Sequence, residues 1–278
     1  MGKHQGRVKL ISGSLHLGHV FYILLIAVGL VMIGYSSFSL ISGEREYASA
    51  RSEYDQLRKL RPVIDAPRAA AGTQSLLIQS GQDGDGATTT YNPNYQPFSV
   101  YLEPEQPDPL AGLAEINRDF VGWIKVGDFI DYPIVRGRDN VRYLDVTFTG
   151  KYNASGAIFM DTDNKQGFNE TVTVLYGHNM KDGTMFASLR KYRERAFLEE
   201  NHNIIILTPE GEILLYRIFA ARVTKAENRD ADLGLADGAT NAGVFRNAPA
   251  GSNRFLILST CTSVYDDERL RVYAALVE

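Results

Sequence analysis

The sequence predicts a mainly β domain carried behind an N-terminal membrane helix and a long spacer, and three observations predict it. From about residue 109 onward, short apolar runs rich in Val, Ile, Phe and Tyr are bounded by turn residues, the pattern of an antiparallel barrel or sandwich. Leu17 to Ile41 contains no Asp, Glu, Lys or Arg. Residues 63–108 are rich in Ala, Gly, Gln, Asp, Thr and Pro and hold no sustained periodicity.

The apolar stretch has its core at Val20–Gly34 and is long enough for a bilayer, which takes about 20 apolar residues. Lys3, Arg7 and Lys9 precede it, and Glu44 and Glu46 follow it. The positive-inside rule therefore puts residues 1–16 in the cytoplasm, the helix of 17–41 across the membrane, and the rest outside. A cleaved leader is the alternative, since Ala48-Ser49-Ala50 fits a small-x-small site. The apolar core exceeds the usual leader length, so an uncleaved single-pass anchor is the reading adopted.

Residues 44–62 are charged, with Tyr47, Ala50, Tyr54, Leu57 and Leu60 at helical spacing, and Pro62 ends that helix. Together with the linker it makes a stalk-like segment, 42–108. The domain of 109–278 opens with a short helix at 110–117. Strands are expected at 119–126, 131–136, 156–161, 171–178, 203–208, 211–224, 254–261 and 269–277. An amphipathic helix fits 184–198, with Met185, Phe186, Leu189, Tyr192, Phe197 and Leu198 near one face.

Composition narrows the chemistry. With 29 basic and 33 acidic side chains the net charge is −4, which argues against nucleic acid as the main partner, because phosphate binding needs a clustered basic excess. The single cysteine excludes an internal disulfide and a Cys-rich metal site. No cofactor or metal is expected. Of five histidines, only His178 and His202 lie beyond the membrane segment, so any thiol–imidazole pair in the domain joins Cys261 to one of them. Cys261 ends the run Arg254–Cys261 and His178 ends Thr171–His178, so both sit at C-terminal strand ends. His202, in Glu199-Glu-Asn-His202, reads as a solvated turn residue. A lone cysteine also suits a core position, and residue type does not decide between core and nucleophile.

In Arg269–Val277, alternation puts Leu270, Val272, Ala274 and Leu276 on one face and Arg269, Arg271 and Tyr273 on the other. A short connection from Cys261 brings a guanidinium near the thiol, where it could hold an oxyanion. Spacing alone does not choose between Arg269 and Arg271, and two exposed surface arginines satisfy the same pattern.

Leu258-Ser-Thr-Cys261, followed by Arg269 on the final strand, resembles the TLxTC…R signature of sortases. Tyr176-Gly-His178-Asn179-Met180 with Asp182–Leu189, Val121–Lys125, Ile130–Val135 and Gly156–Asp161 are similar to segments of the class B members. The resemblance runs over about residues 112–278, with separated motifs in the family's order. It implies an eight-stranded sortase-type β-barrel and a membrane-anchored cysteine transpeptidase. Carried over by motif, Cys261 is the nucleophile, His178 the general acid/base and Arg269 the oxyanion or substrate-positioning cation, with Thr260, Ser259 and Asn179 shaping the site. The implied partners are surface proteins bearing a C-terminal sorting signal and a peptidoglycan-precursor amine, or a pilin lysine in the polymerising variant.

Two departures stand against the family pattern. Class B members carry a substantial helix before the seventh strand, whereas Asp232–Asn247 is Gly-rich and predicts a weak helix or loop. Asp108-Pro-Leu110 is similar to a class C lid without its aromatic residue and is read as linker. Asp266, Asp267 and Glu268 are read as a solvated loop. Three other functions share parts of this sequence logic: pilin polymerisation, a thiol hydrolase, and a stalked adhesive ectodomain with an inert Cys261.

Overall fold

The computed structural model describes residues 17–61, 110–225, 242–245, 247–261 and 268–277. The expectations for residues 1–16, for the linker, for most of 232–247 and for the loop joining Cys261 to Arg269 fall outside them. Two compact units divide the chain, Met1–Ala48 and Ser49–Glu278.

The second unit is built on eight strands, and each overlaps one predicted run: β1 (Phe120–Val126), β2 (Ile130–Val135), β3 (Ile158–Met160), β4 (Val172–Tyr176), β5 (Asn203–Leu207), β6 (Ile213–Lys225), β7 (Phe255–Cys261) and β8 (Glu268–Leu276). They close into a barrel in the order β1-β2-β3-β4-β7-β8-β6-β5. Only β2 with β3 and β4 with β7 pair in parallel. Closure leaves no sheet edge exposed, which explains how strands as short as β3 persist.

Alternation is weaker than a half-exposed sheet requires. The inward face of β8 carries Leu270, Val272 and Ala274, but Arg271, Tyr273 and Ala275 on the opposite face are buried as well. That second face is covered. Val172, Val174, Ile257 and Tyr273 pack with Val244 of a short helix, α4 (Ala242–Phe245), and with Phe219, Phe245 and Phe255. Arg271 is therefore not the exposed surface arginine that alternation also allowed; only 2% of it is accessible.

A single helix over 184–198 does not form. Ala187–Arg193 is 3-10 helix and Arg195–Glu200 is a separate α-helix, α3, with Glu194 extended between them. Phe186, Leu189 and Tyr192 recur every third residue, and a 3-10 turn stacks such residues on one line. All three are buried. Phe197 then joins Tyr192 from α3 at a ring distance of 5.0 Å. The short predicted helix is present as α2 (Ala111–Ile116), with Leu110 and Leu113 buried.

The helix α1 runs from Leu17 to Arg58. Its part beginning at Val20 is the one described helix long and apolar enough to cross a membrane, with a mean hydropathy of 2.2 and none of its apolar window buried. Phe21, Tyr22, Ile26 and Val31 are all at least 60% exposed, a display of apolar surface that suits lipid rather than water.

The turns of α1 in the second unit behave differently. Ala50, Tyr54 and Leu57 are buried at i, i+4 and i+7, one helical face. Tyr54 meets the edge of Tyr132 with ring centroids 5.1 Å apart, and Arg58 lies 4.9 Å over the Tyr132 ring. The Glu53 carboxylate accepts from Thr149 N at 3.1 Å, and Arg58 Nε donates to Asp131 O at 2.9 Å. Burying a large apolar side chain contributes about 1.5–3 kcal/mol, so this face carries a sizeable part of a stability of about 5–15 kcal/mol. A chain beginning after Arg61 is therefore expected to melt well below one beginning at Ser49, as scanning calorimetry of the two would read; equal melting temperatures would deny the contribution.

Burial also raises the phenols of Tyr54, Tyr132, Tyr192 and Tyr216 above the ordinary tyrosine value, Tyr216 to about 12. With folded values above the unfolded one, stability is intact below pH about 10 and declines as pH rises toward the folded values, because the unfolded chain loses its protons first. Thermal melts from pH 8 to 11 should be flat at first and then fall steeply. A melting temperature that stays level to pH 11 would contradict this.

Candidate active site

Strand β7 lies between β4 and β8, and that neighbourhood assembles the predicted residues. In the parallel pair, Leu175 faces Leu258 and Tyr176 faces Ser259. The ladder is extended by Gly177 N donating to Ser259 O at 3.3 Å. In the antiparallel pair, Cys261 is the Cα partner of Arg269 and Ser259 that of Arg271. Residues paired across a ladder share a face, so Ser259, Arg271 and Tyr176 lie together on the outer face of the barrel wall, with Arg269 two residues along β8 on the same face. Thr260 alternates to the other face, opposite Leu270, and is 3% exposed.

A cavity of about 250 Å3 opens on this face. His178, Arg269 and Arg271 supply its basic groups, Ser259 a hydroxyl, and Phe159 and Tyr176 an aromatic wall, with Thr260 at its border. The two rings of that wall sit 5.2 Å apart, and Tyr176 donates to the buried Asp161 at 2.7 Å, which fixes the phenol's direction. The side-chain oxygens of Ser259 and Thr260 are buried and meet no hydrogen-bonding partner among the described residues.

His178 follows β4 directly and is half-buried. Its Nε2 lies 2.7 Å from the Leu144 carbonyl oxygen. A carbonyl only accepts, so Nε2 carries the proton and Nδ1 is the nitrogen left for proton transfer. The backbone on both sides is constrained. A Cβ at Gly177 would come 2.5 Å from Ile158 Cδ1 and 2.8 Å from the Phe186 ring, so the close packing of β3 against the loop requires glycine there. Beyond the histidine, Phe186 N donates to His178 O at 2.8 Å, closing the loop of 179–185.

Asn179, assigned to the site by motif, pairs with Met185 in an isolated antiparallel bridge. His202 sits at the head of β5 with Nδ1 2.9 Å from Glu199 O and forms no wall of the cavity. Arg269 donates to Glu268 O at 2.9 Å and Arg271 to Lys225 O at 3.2 Å, so main-chain carbonyls help to hold both guanidinium groups. Sequence reasoning missed the Leu144 carbonyl, because a backbone acceptor in a 3-10 turn (Arg142–Leu144) leaves no signal in residue type. It also missed Asn140 and Phe159 on the cavity wall. Among the described residues, no group of three or more His, Cys, Asp or Glu is gathered as a metal would require.

Comparison with known proteins meets this geometry. The family profile of the Sortase domain matches residues 125–277. The chain is similar to Sortase B of Listeria monocytogenes, 46% identical over 92 residues that span 33% of this chain and only 37% of that relative. It is similar to Sortase B of Staphylococcus aureus at 28% identity over 210 residues, 70% of this chain and 86% of that one. Among solved structures it is similar to sortase B of Clostridium perfringens, with a TM-score of 0.53 and 27% identity over 60% of this chain and 98% of that one. A class B sortase of Streptococcus pyogenes involved in pilus biogenesis has a TM-score of 0.52 and 30% identity over 59% of this chain and 96% of that one. The profile match covers more than half of the chain and spans β2 through β8, and on that basis the protein belongs to the sortase family of cysteine transpeptidases.

Proposed function

We propose that the protein cleaves the C-terminal sorting signal of surface proteins after a threonine and joins the new carboxyl end to a cell-wall amine, working from the outer side of the membrane that α1 spans. The observation that supports the reading is the strand order β4-β7-β8, with His178 and Arg269 on one cavity and Cys261 the Cα partner of Arg269 in the adjoining ladder.

In this reading the Cys261 thiolate attacks the threonine carbonyl carbon and forms the S–C bond. The oxygen takes up negative charge opposite the Arg269 guanidinium. As the C–N bond breaks, His178 gives its proton to the departing amine, leaving a thioacyl enzyme. The acceptor amine passes a proton to His178, attacks the thioester carbon and expels the thiolate. Arg269 is favoured over Arg271 for the oxyanion because its Cα is the one paired with Cys261. Arg271, two pairs further down the ladder and buried, lies beside Ser259 and suits the body of the peptide. Ser259 brings to the same wall a hydroxyl that meets no partner among the described residues.

Residues 1–16 on the cytoplasmic side, with the stalk and linker of 42–108 and the catalytic domain of 109–278 outside, complete the proposed arrangement, with the basic residues before α1 and the acids after Ile41 as its support. A second reading has the similarity to the Streptococcus pyogenes enzyme behind it: the acceptor is a lysine of another pilin subunit. One experiment separates them. The full chain in detergent micelles is mixed with sorting-signal peptides (LPxTG, NPxTx and Pro-substituted variants) and with triglycine, a diaminopimelate-type amine or a lysine peptide. Products are then read by mass. An amide to the wall-type amine is expected; an amide only to the lysine peptide would move the function to pilus assembly, and free acid regardless of amine would make the enzyme a hydrolase.

A further inference from the structure

The last turns of α1, in the barrel unit, contact the segments on both sides of His178 without lining the cavity. On one side the buried Tyr54 hydroxyl donates to Gly156 O at 2.6 Å. Gly156 is left-handed, with φ of +55°, and packs directly on the turn that holds Leu144. A Cβ there would sit 2.5 Å from the Leu144 carbonyl oxygen and nearer still to that of Tyr143. Ala157 N donates to Tyr143 O at 3.0 Å, and Asn153 N to Asp145 O at 2.9 Å, so the segment 153–157 is laced to the turn 142–145. That turn presents the carbonyl which receives His178 Nε2.

On the other side, the Tyr132 ring that Tyr54 meets edge-on accepts at its hydroxyl from Met185 N at 3.1 Å. Met185 is the only described non-glycine residue with positive φ, at 56°, and it directly precedes Phe186, whose amide holds His178 O. Arg51, one turn before Tyr54, pairs at 3.6 Å with Asp182, whose carboxylate caps Thr184 in the same loop. Left-handed backbone at a bulky side chain costs free energy and persists where its surroundings hold it.

We infer that Tyr54 is a positioning residue for His178: through Gly156 it sets the Leu144 carbonyl that fixes the imidazole tautomer, although it lies far from the cavity in sequence and touches neither substrate nor nucleophile. The inference rests on the reading of His178 as the proton carrier. Burial keeps the Tyr54 phenol protonated, so it remains a donor throughout the working pH range. Loss of the donor frees Gly156 O, lets the 142–145 turn shift, and releases Nε2 to exchange its proton with Nδ1. Misplacement of a catalytic group by an ångström can cost about a hundredfold, and a loosened rather than lost contact should cost about tenfold.

The test uses the full chain in micelles with Tyr54→Phe, which keeps the ring against Tyr132. Expected are a fall in kcat of about tenfold with KM within about twofold, and a displaced pH–rate profile. Nitrogen-15 spectra of the imidazoles, with the His178 signal identified by His178→Ala, should change from a single Nε2–H tautomer to a mixture. Gly156→Ala, which pushes on the same carbonyls, should act alike and carries the test if Tyr54→Phe does not fold. A variant with a lower melting temperature but unchanged kcat, pH profile and tautomer would overturn the inference. Should His178→Ala retain activity, the catalytic reading fails, while the tautomer of the Tyr54 variant still decides the positioning role.

Discussion

His178→Ala is expected to lower the rate of transpeptidation by about 10³-fold, the range a positioned general acid–base contributes, with little change in KM. The leaving amine of an amide needs a proton as the C–N bond breaks, and among the described residues no other imidazole lines the cavity. His202, the other histidine beyond the membrane segment, belongs to the head of β5, and His202→Ala should leave the rate at the level of the parent. Single-turnover kinetics with a sorting peptide would read the effect on acylation directly. If the two variants lost rate equally, the assignment of the proton carrier to the end of β4 would be wrong.

Arg269→Ala is the second large effect. Removing one oxyanion donor costs about 10²–10³ in kcat, and the proposed mechanism gives Arg269 that role. Arg269→Lys should recover only part of the loss, because an ammonium lacks the planar fork that reaches two oxygens together. Arg271→Ala should instead raise KM more than it lowers kcat, since its Cα is paired with Ser259 rather than with Cys261. Steady-state kinetics of the three variants on one peptide separates the roles. A kcat loss confined to Arg271→Ala would exchange them.

Much of this architecture is legible in the residues because barrel strands carry strong local signals. The eight apolar runs are short, bounded by turns and rich in β-branched and aromatic side chains, so their existence follows from sequence alone. What holds them in order does not. The parallel partnership of β4 with β7 joins segments far apart in the chain, and nothing in Thr171–His178 names its neighbour; the shared strand-end placement of His178 and Cys261 was the only hint. Arg271 shows a second limit. A charged residue at an alternating position reads as exposed, but the aromatic cluster of Phe219, Phe245 and Phe255 covers the adjoining wall, and that cover is a tertiary fact. The pattern Ala50, Tyr54, Leu57 shows a third. An apolar stripe on a charged helix is the same whether it meets a second chain, a bilayer surface or its own barrel, and only the Tyr54–Gly156 and Tyr54–Tyr132 contacts decide.

The same contacts alter how the enzyme is to be handled. A fragment cut to the apolar runs alone, beginning near residue 97, would lose the helix that covers Tyr132 and braces the turn beneath His178. Low activity in such a fragment would report on the missing helix rather than on the chemistry.

The central claim is that Cys261 carries the acyl group between donor and acceptor. Rapid quenching of the full chain with a sorting peptide, followed by digestion and mass mapping, measures this directly. The account predicts a thioester adduct of the peptide's N-terminal half on the fragment containing Cys261, absent in Cys261→Ala and discharged to an amide when an acceptor amine is added. Undiminished turnover in Cys261→Ala, or an adduct on any other residue, would contradict it.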